Sequence, residues 1–450
     1  MNKYNTHTQF PDIWISKIPA HWQVHKMKRL FAERSEKGYP NEPLLVASQS
    51  MGVVPKNVYG NRTVEAQKDL HLLKLVCVGD FVISLRSFQG GLEYAYYQGI
   101  ISPAYTILIP HEPMSSSYFR YLAKSKPFIG LLTLCVTGIR EGQNIDYAKL
   151  KNHFLPVPPR EEQDQIVRFL DWKVSSINKL IRIRKRQIEE LEAIKRSSIG
   201  YLVMGQAQSI PQRDTEVNWV KTIPAHWNEK TLIQVAEEQQ IKNAGMVEDN
   251  LLSLSYGKII NKDINTTDGL LPSSFEGYQI VHDGNIILRL TDLQNDHKSL
   301  RTGLVTQTGI ITSAYTCLKV RHNILPEYLQ LQLHVADLCK VFYGMGGGVR
   351  QSIGFTEIRK LVIAIPPVEE QQYILDRVHG IEKPINCAIQ NIRDIIAGLE
   401  DLKTRLISDA VTGKIDVRGI EIPEYEFVDE DIDNADENLE QGADEPPKEE

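Results

Sequence analysis

Cysteine is scarce in this chain of 450 residues: five are spread along it, Cys77, Cys135, Cys317, Cys339 and Cys387, none in a CxxC pair. That spacing excludes a disulfide framework and a zinc knuckle, and reduced thiols in a cytoplasmic protein are the expectation. Long hydrophobic runs are missing too. None reaches the roughly 18 residues that a membrane span needs, and the opening Met1 to Phe10 is polar, without a signal-peptide core.

Catalytic patterns are equally thin. The twelve histidines show no HExxH spacing and none is paired with a recognisable nucleophile. No phosphate-binding GxxxxGK[ST] occurs, since Ser408 stands where Thr412-Gly413-Lys414 would need its first glycine. The Gly344-Met345-Gly346-Gly347-Gly348 stretch is followed by Val349-Arg350 and not directly by a long helix, so it does not make a dinucleotide loop. A base-methylating enzyme needs Asp or Asn before a Pro-Pro pair and an aromatic after it, to hydrogen-bond and stack the target base. Here the two Pro-Pro pairs are flanked by Val157 and Arg160, and by Ile365 and Val368. The expectation is a non-catalytic chain that binds no cofactor and no metal.

What the chain does have is a repeat. Ile18-Pro19-Ala20-His21-Trp22 recurs as Ile223-Pro224-Ala225-His226-Trp227, and Gly79-Asp80-Phe81-Val82-Ile83 is echoed by Gly284-Asn285-Ile286-Ile287-Leu288. His21 and His226 read as packing residues. Each half closes on Pro-Pro-x-Glu-Glu-Gln, at Pro158 to Gln163 and Pro366 to Gln371, followed by an apolar repeat. In the second copy Ile374, Val378, Ile381, Ile385, Ala388, Ile392, Ile395, Leu399, Leu402 and Leu406 step by four and three, a heptad seam. The first copy has Ile166, Leu170, Ile177, Leu180, Leu191 and Ile194 at the same phase, interrupted by Lys173, Arg184 and Gln187. Prolines in the first turn and the following glutamates mark helix starts, and Gly205 and Gly413 mark stops. Gly380 and Pro384 are expected to kink the second helix. A long helix with one apolar stripe must bury it against something of equal length, and the other helix is the natural mate.

The fold class expected is therefore α+β: two mixed α/β modules joined by two long antiparallel coiled-coil helices with an internal two-fold repeat. The domains read as module 1 at 1–157, helix at 158–205, module 2 at 206–365, helix at 366–418, and a tail at 419–450. Within the modules, Leu75 to Leu85, Tyr94 to Ile109, Ile280 to Leu290 and Leu304 to Val320 read as strands, and Ser117 to Ser125 and Pro326 to Cys339 as helices. The stretches Val46 to Leu70 and Leu251 to Gly277 have almost nothing in common, which suggests one fold used for two targets.

Charge separates the tail from the body. The net charge of -6 includes fourteen acidic residues and one lysine in the last thirty, leaving 50 basic against 43 acidic residues in the body, a net of +7. The tail reads as disordered. A mildly basic body is compatible with nucleic acid. In the first module Arg86, Ser87 and Gln89 follow a strand, and Arg289 and Thr291 occupy the corresponding loop of the second. A second loop carries Arg140, Gln143 and Asn144 in one module and Arg350 and Gln351 in the other. Arginine pairs bidentately with guanine and glutamine or asparagine with adenine, so these sets suit major-groove readout. Lys179, Arg182, Arg184, Lys185 and Arg186 form the densest basic run, read as a solvated helix face.

With its doubled Ile-Pro-Ala-His-Trp, doubled Pro-Pro-x-Glu-Glu-Gln and the ending Leu402 to Ile415, the chain resembles the specificity subunit of type I restriction-modification systems over roughly residues 12 to 418. The first helix departs from the pattern, ending Tyr201-Leu202-Val203-Met204-Gly205-Gln206 where the second has Thr-Gly-Lys. The resemblance implies double-stranded DNA as a ligand and two modification methyltransferase subunits as partners, with restriction and translocase subunits beyond them. It implies that S-adenosylmethionine, ATP and Mg belong to those partners, and that Glu162, Gln163, Glu370, Gln371 and Arg405 contact them. A coiled-coil assembly scaffold with protein-binding modules is the alternative, as is a self-sufficient methyltransferase, which the missing motifs oppose.

Overall fold

The computed structural model describes residues 2–59, 69–138, 144–206, 210–264, 272, 274–293, 300–321, 323–345 and 353–429. The chain divides into two compact units. One is built from residues up to Arg186 together with the stretch from Ile392 onward, the other from Gln187 to Asn391. Each unit thus holds one module, the first part of the helix that follows it, and the last part of the other helix.

In the first unit a four-stranded antiparallel sheet forms from β1 (Phe31–Arg34), β4 (Phe81–Ile83), β5 (Glu93–Tyr94) and β6 (Thr106–Pro110), in the order β1-β6-β4-β5. A hairpin of β2 (Leu45–Ser48) and β3 (Gly52–Pro55) stands beside it. Phe81, Val82 and Ile83 are all buried, as expected of a strand covered on both faces. The run Leu75 to Leu85 is broken into two strands at Gly79, whose φ of +94° only glycine adopts easily. Helices α1 (Ser116–Ala123) and α2 (Lys126–Leu134) cover the sheet, and Phe119 sits 4.5 Å from Phe31 and 4.7 Å from Phe81, ring centre to ring centre. The last strand, Phe154–Val157, pairs with Gln23–Lys26 and delivers the chain into α3 (Arg160–Val203).

The second unit repeats this plan. Strands β7 (Ala236–Glu238), β10 (Ile286–Leu288), β11 (Thr302–Leu304) and β12 (Thr316–Val320) form a sheet of order β7-β12-β10-β11, flanked by a hairpin of β8 (Leu252–Ser255) and β9 (Lys258–Asn261). Helix α4 (Pro326–Leu338) packs behind, and Val362–Ile365 pairs with Asn228–Thr231 before α5 (Val368–Val411). The repeat extends to partly buried polar pairs at an offset of 205 residues. Arg34 Nε donates to Asp80 at 2.8 Å in the first unit, and Gln239 donates to Asn285 at 3.2 Å in the second.

The two long helices are 44 residues each, and α5 runs unbroken as helix through Pro384. In the first unit Ile166, Phe169, Leu170, Ile177 and Ile181 of α3 share a core with Leu406, Ala410 and Val411 of α5, an antiparallel pairing. In the second, Ile199 and Val203 join a core with Ile374, Leu375 and Val378. The expected seam is correct at these ends and at Leu399, which packs against the core of the first unit, whereas Leu180, Ile194, Ile395 and Leu402 are exposed. From Arg182 to Ser198 no residue of α3 is buried. A helix of 3.6 residues per turn drifts against a strict seven-residue repeat by about 20° per heptad, so apolar residues spaced by heptads leave the contact stripe away from the ends. Ile396, one residue after the expected Ile395, packs against the core of the first unit.

The first residues after α5 run back along α3. Ser175 Oγ donates to Glu426 O at 2.9 Å and accepts from Val428 N, and Asn178 donates to Val428 O at 3.2 Å. Gln165 donates to the carbonyls of Val417 and Ile420. These side-chain bonds hold Val417 to Val428 along α3; the acidic residues from 430 onward lie outside the described ones.

Candidate nucleic-acid interface

The joint between module and helix is built first, because it fixes where the loops can be. Glu162, in the first turn of α3, is buried and accepts from the Tyr4 hydroxyl, from Trp22 Nε1 at 3.0 Å, and hydrogen-bonds His21 Nε2 at 2.7 Å. Burial beside this carboxylate pushes the Tyr4 hydroxyl far above its ordinary pKa. Gln163, fully buried, donates to the carbonyls of Pro113 and Pro158 and accepts from Ser115 N at 2.9 Å. Gln371 repeats this with Pro366, Asn323 and Leu325 N, and Glu370 meets His226 at 2.7 Å. Four of the five residues expected to contact partner subunits therefore bind their own module. Glu162, Gln163 and Gln371 are buried, with their polar atoms turned to partners within the chain. Glu370 is half-buried against His226. Arg405 is exposed, on a shallow groove with Lys126, Asp401 and Lys414.

The ends of the helices close the same joint. Gly413 has a φ of +72°, and a Cβ there would stand 2.2 Å from Pro19; Gly205 has a φ of +68° and would meet Pro224 at 2.4 Å. Each Ile-Pro-Ala-His-Trp segment thus receives the start of its own helix on one side and the end of the other helix on the other. This explains why both segments and both glycines recur.

The first candidate loop follows β4. Arg86 and Gln89 are exposed, in and beside the short helical turn Ser87–Gly90. Ser87 is fully buried, with its Oγ accepting from Ser84 N at 2.8 Å, so it shapes the loop from within. From the hairpin tip Gln49 Nε2 donates to Arg86 O at 3.0 Å, and Lys124 at the end of α1 donates to Gln49 O at 3.1 Å and to Glu93 at 2.6 Å. Gly91 fits only without a side chain: its Cβ would lie 2.1 Å from Ala123 O. Gln49 and Lys124 were missed in the sequence because they come from a hairpin and a helix end, and nothing in a linear pattern ties them to residue 86.

In the second module the loop leaves β10 at Arg289. Arg86 stands three residues past its strand and Arg289 one residue past its own, so the two loops correspond while their arginines do not. Arg289 and Thr291 are half-buried, and the carbonyls of Arg289, Thr291 and Asp292 all accept from the guanidinium of Arg301. Of the second loops, Arg140, Gln143, Arg350 and Gln351 lie outside the described residues. Asn144 is exposed at the edge of a small strand pair with Thr137.

Residues 302–396, from β11 to the middle of α5, match the family of the type I restriction modification DNA specificity domain. The type I restriction enzyme MjaIX specificity subunit of Methanocaldococcus jannaschii is 22% identical over 454 residues, covering 93% of this chain and 99% of that one. Along nearly its whole length the chain is similar to specificity subunits of type I restriction-modification systems. A second M. jannaschii protein, assigned as the MjaX specificity subunit, is 22% identical over 441 residues, 90% of this chain and 96% of that one. Among solved structures, a chain from work on complex assembly and conformational transition of the type I R-M system shares the fold. It matches with a TM-score of 0.62 at 14% identity, covering 88% of this chain and 99% of that chain. The matched domain is by its family a DNA specificity domain. Among the described residues no helix is long and apolar enough to cross a membrane.

Proposed function

We propose that this specificity subunit reads a bipartite, asymmetric DNA site, one half with each module, across an unspecified spacer. The observation that carries this is the pair of sheets with one strand order whose loops differ: Arg86 and Gln89 on one, Arg289 and Thr291 on the other. Like frames with unlike readers suit two different half-sites. An exposed arginine three residues past a strand and a half-buried one directly after it present their forks differently, and bidentate base pairing depends on that presentation.

The helices α3 and α5 join the modules and offer surface to two modification methyltransferase subunits, with restriction subunits recruited to the same assembly. Arg405 and its exposed groove suit such a contact. S-adenosylmethionine, ATP and Mg are used by those partners, and the complex acts in the cytoplasm. Methylation-sensitive sequencing of DNA from cells with and without the chain tests this. The expected result is a motif of two short defined blocks separated by unspecified bases, lost with the chain; a continuous or palindromic motif would overturn the bipartite reading, and unchanged methylation the role in directing methyl transfer.

A further inference from the structure

We infer that Arg301 is the positioning residue that sets the sequence specificity of the second module, acting through the loop it holds. Arg301 is fully buried and leads the largest such side chains among the described residues. A buried guanidinium is costly unless its donors are filled, and here Nη1 and Nη2 are both directed at one loop. Nη1 donates to Thr291 O at 2.8 Å and to Arg289 O at 3.2 Å, and Nη2 donates to Asp292 O at 3.3 Å. Nε donates to the Tyr343 hydroxyl at 3.0 Å, with the guanidinium carbon 5.2 Å from that ring's centre.

The backbone completes the grip. Arg289 N donates to Arg301 O at 2.9 Å, Arg301 N donates to Asp337 Oδ2 of α4 at 2.8 Å, and Ile353 N donates to Leu290 O at 3.0 Å. Asp292 is held at a φ of +55°, in the left-handed region that an aspartate enters at some cost. The loop that carries Arg289 and Thr291 therefore takes its shape from a planar fork with several fixed donors. Lysine, a single ammonium on a flexible stem, cannot reproduce that fork.

The first module does this differently. Its loop is tied by Gln49 from the hairpin and by Ser87 within the loop. A change at Arg301 is thus expected to alter one half-site and leave the other intact, which global destabilisation would not do.

This inference rests on the proposal that the loop from Arg289 reads bases, and the test separates the two. The full-length chain with its methyltransferase partners is titrated with duplex oligonucleotides carrying the mapped site, or that site with one mismatched base pair in either half. Arg289→Ala and Thr291→Ala identify the half-site that the loop reads. Arg301→Lys is expected to keep the fold, judged by circular dichroism, and to lower discrimination at that half-site by about tenfold, with the other half-site unchanged. A folded Arg301→Lys protein with full discrimination at both half-sites, or with equal losses at both, would overturn the inference.

Should Arg301→Lys fail to fold, Tyr343→Phe decides, since it removes only the hydroxyl that orients the fork. A smaller loss confined to the same half-site supports the inference, and no loss overturns it. If neither Arg289→Ala nor Thr291→Ala changes discrimination, the assignment of the loop as reader fails instead.

Discussion

The indole N–H of Trp22 donates to Glu162 at 3.0 Å, tying the repeated Ile-Pro-Ala-His-Trp segment to the first turn of α3. The same carboxylate serves Tyr4 and His21. Removing it strands buried donors, each at about 1 to 3 kcal/mol. Glu162→Ala is expected to destabilise the first unit by at least about 2 kcal/mol, read by chemical denaturation. Trp227 has no such partner for its indole nitrogen, so Glu370→Ala is expected to cost the second unit less.

The helix ends make a parallel prediction. Gly413→Ala places a Cβ 2.2 Å from Pro19 on a residue with φ of +72°, and Gly205→Ala does the same against Pro224. The left-handed conformation alone costs roughly 1 to 2 kcal/mol per residue, and the clash with a rigid ring adds to it. Each variant should lower the melting transition of its own unit, as seen by differential scanning calorimetry.

Arg86 and Gln89 are expected to act on one half-site. Arg86→Ala should cost about 1 to 3 kcal/mol of discrimination at one base pair if it pairs with guanine, whereas a phosphate contact would weaken all sequences alike and lower the salt slope by about one. Competition binding at two salt concentrations separates these. Gln89→Ala is expected to act on the same half-site as Arg86→Ala.

Glu93 supplies a pH dependence. Burial pushes its carboxyl up to about 7, with the Lys124 ammonium holding the shift back. The folded state therefore binds this proton more tightly than the unfolded chain, so the stabilisation is full below the ordinary carboxylate range and is lost as pH rises through about 7. Relative to Glu93→Gln, the wild-type melting temperature should fall between about pH 5 and pH 7.5. A constant difference across that range would contradict the protonation behaviour assigned to Glu93.

Much of the architecture is legible in the sequence because it rests on local signals. Pro-Pro followed by Glu-Glu marks helix starts through dipole and φ constraints, and α3 and α5 begin within a residue or two of where those signals put them. The helix Lys126–Leu134 is not legible, since Phe128-Ile129-Gly130-Leu131-Leu132 is apolar without helical periodicity and its burial comes from neighbours. The site divides in the same way. Arg86 and Arg289 follow apolar strands and can be found by that rule. Gln49, Lys124 and Arg301 reach the loops from distant elements, and only the fold shows it. Glu162 and Gln163 carry a recurring motif whose recurrence comes from a joint inside the chain, which no single sequence distinguishes from a contact surface.

The central proposal is that two modules read separate half-sites, and we propose with it that the lengths of α3 and α5 set the spacer in the DNA site. Deleting Ile181 to Gln187 together with Ile389 to Ile395 removes two turns from each helix, keeps the seam phase, and shortens each rod by roughly 10 Å, about three base pairs of B-form DNA. Sequencing the methylated sites made by this variant tests the claim most directly. Unchanged half-sites with a spacer shorter by about three base pairs is the result predicted, and a folded, active variant that keeps the original spacer would contradict it.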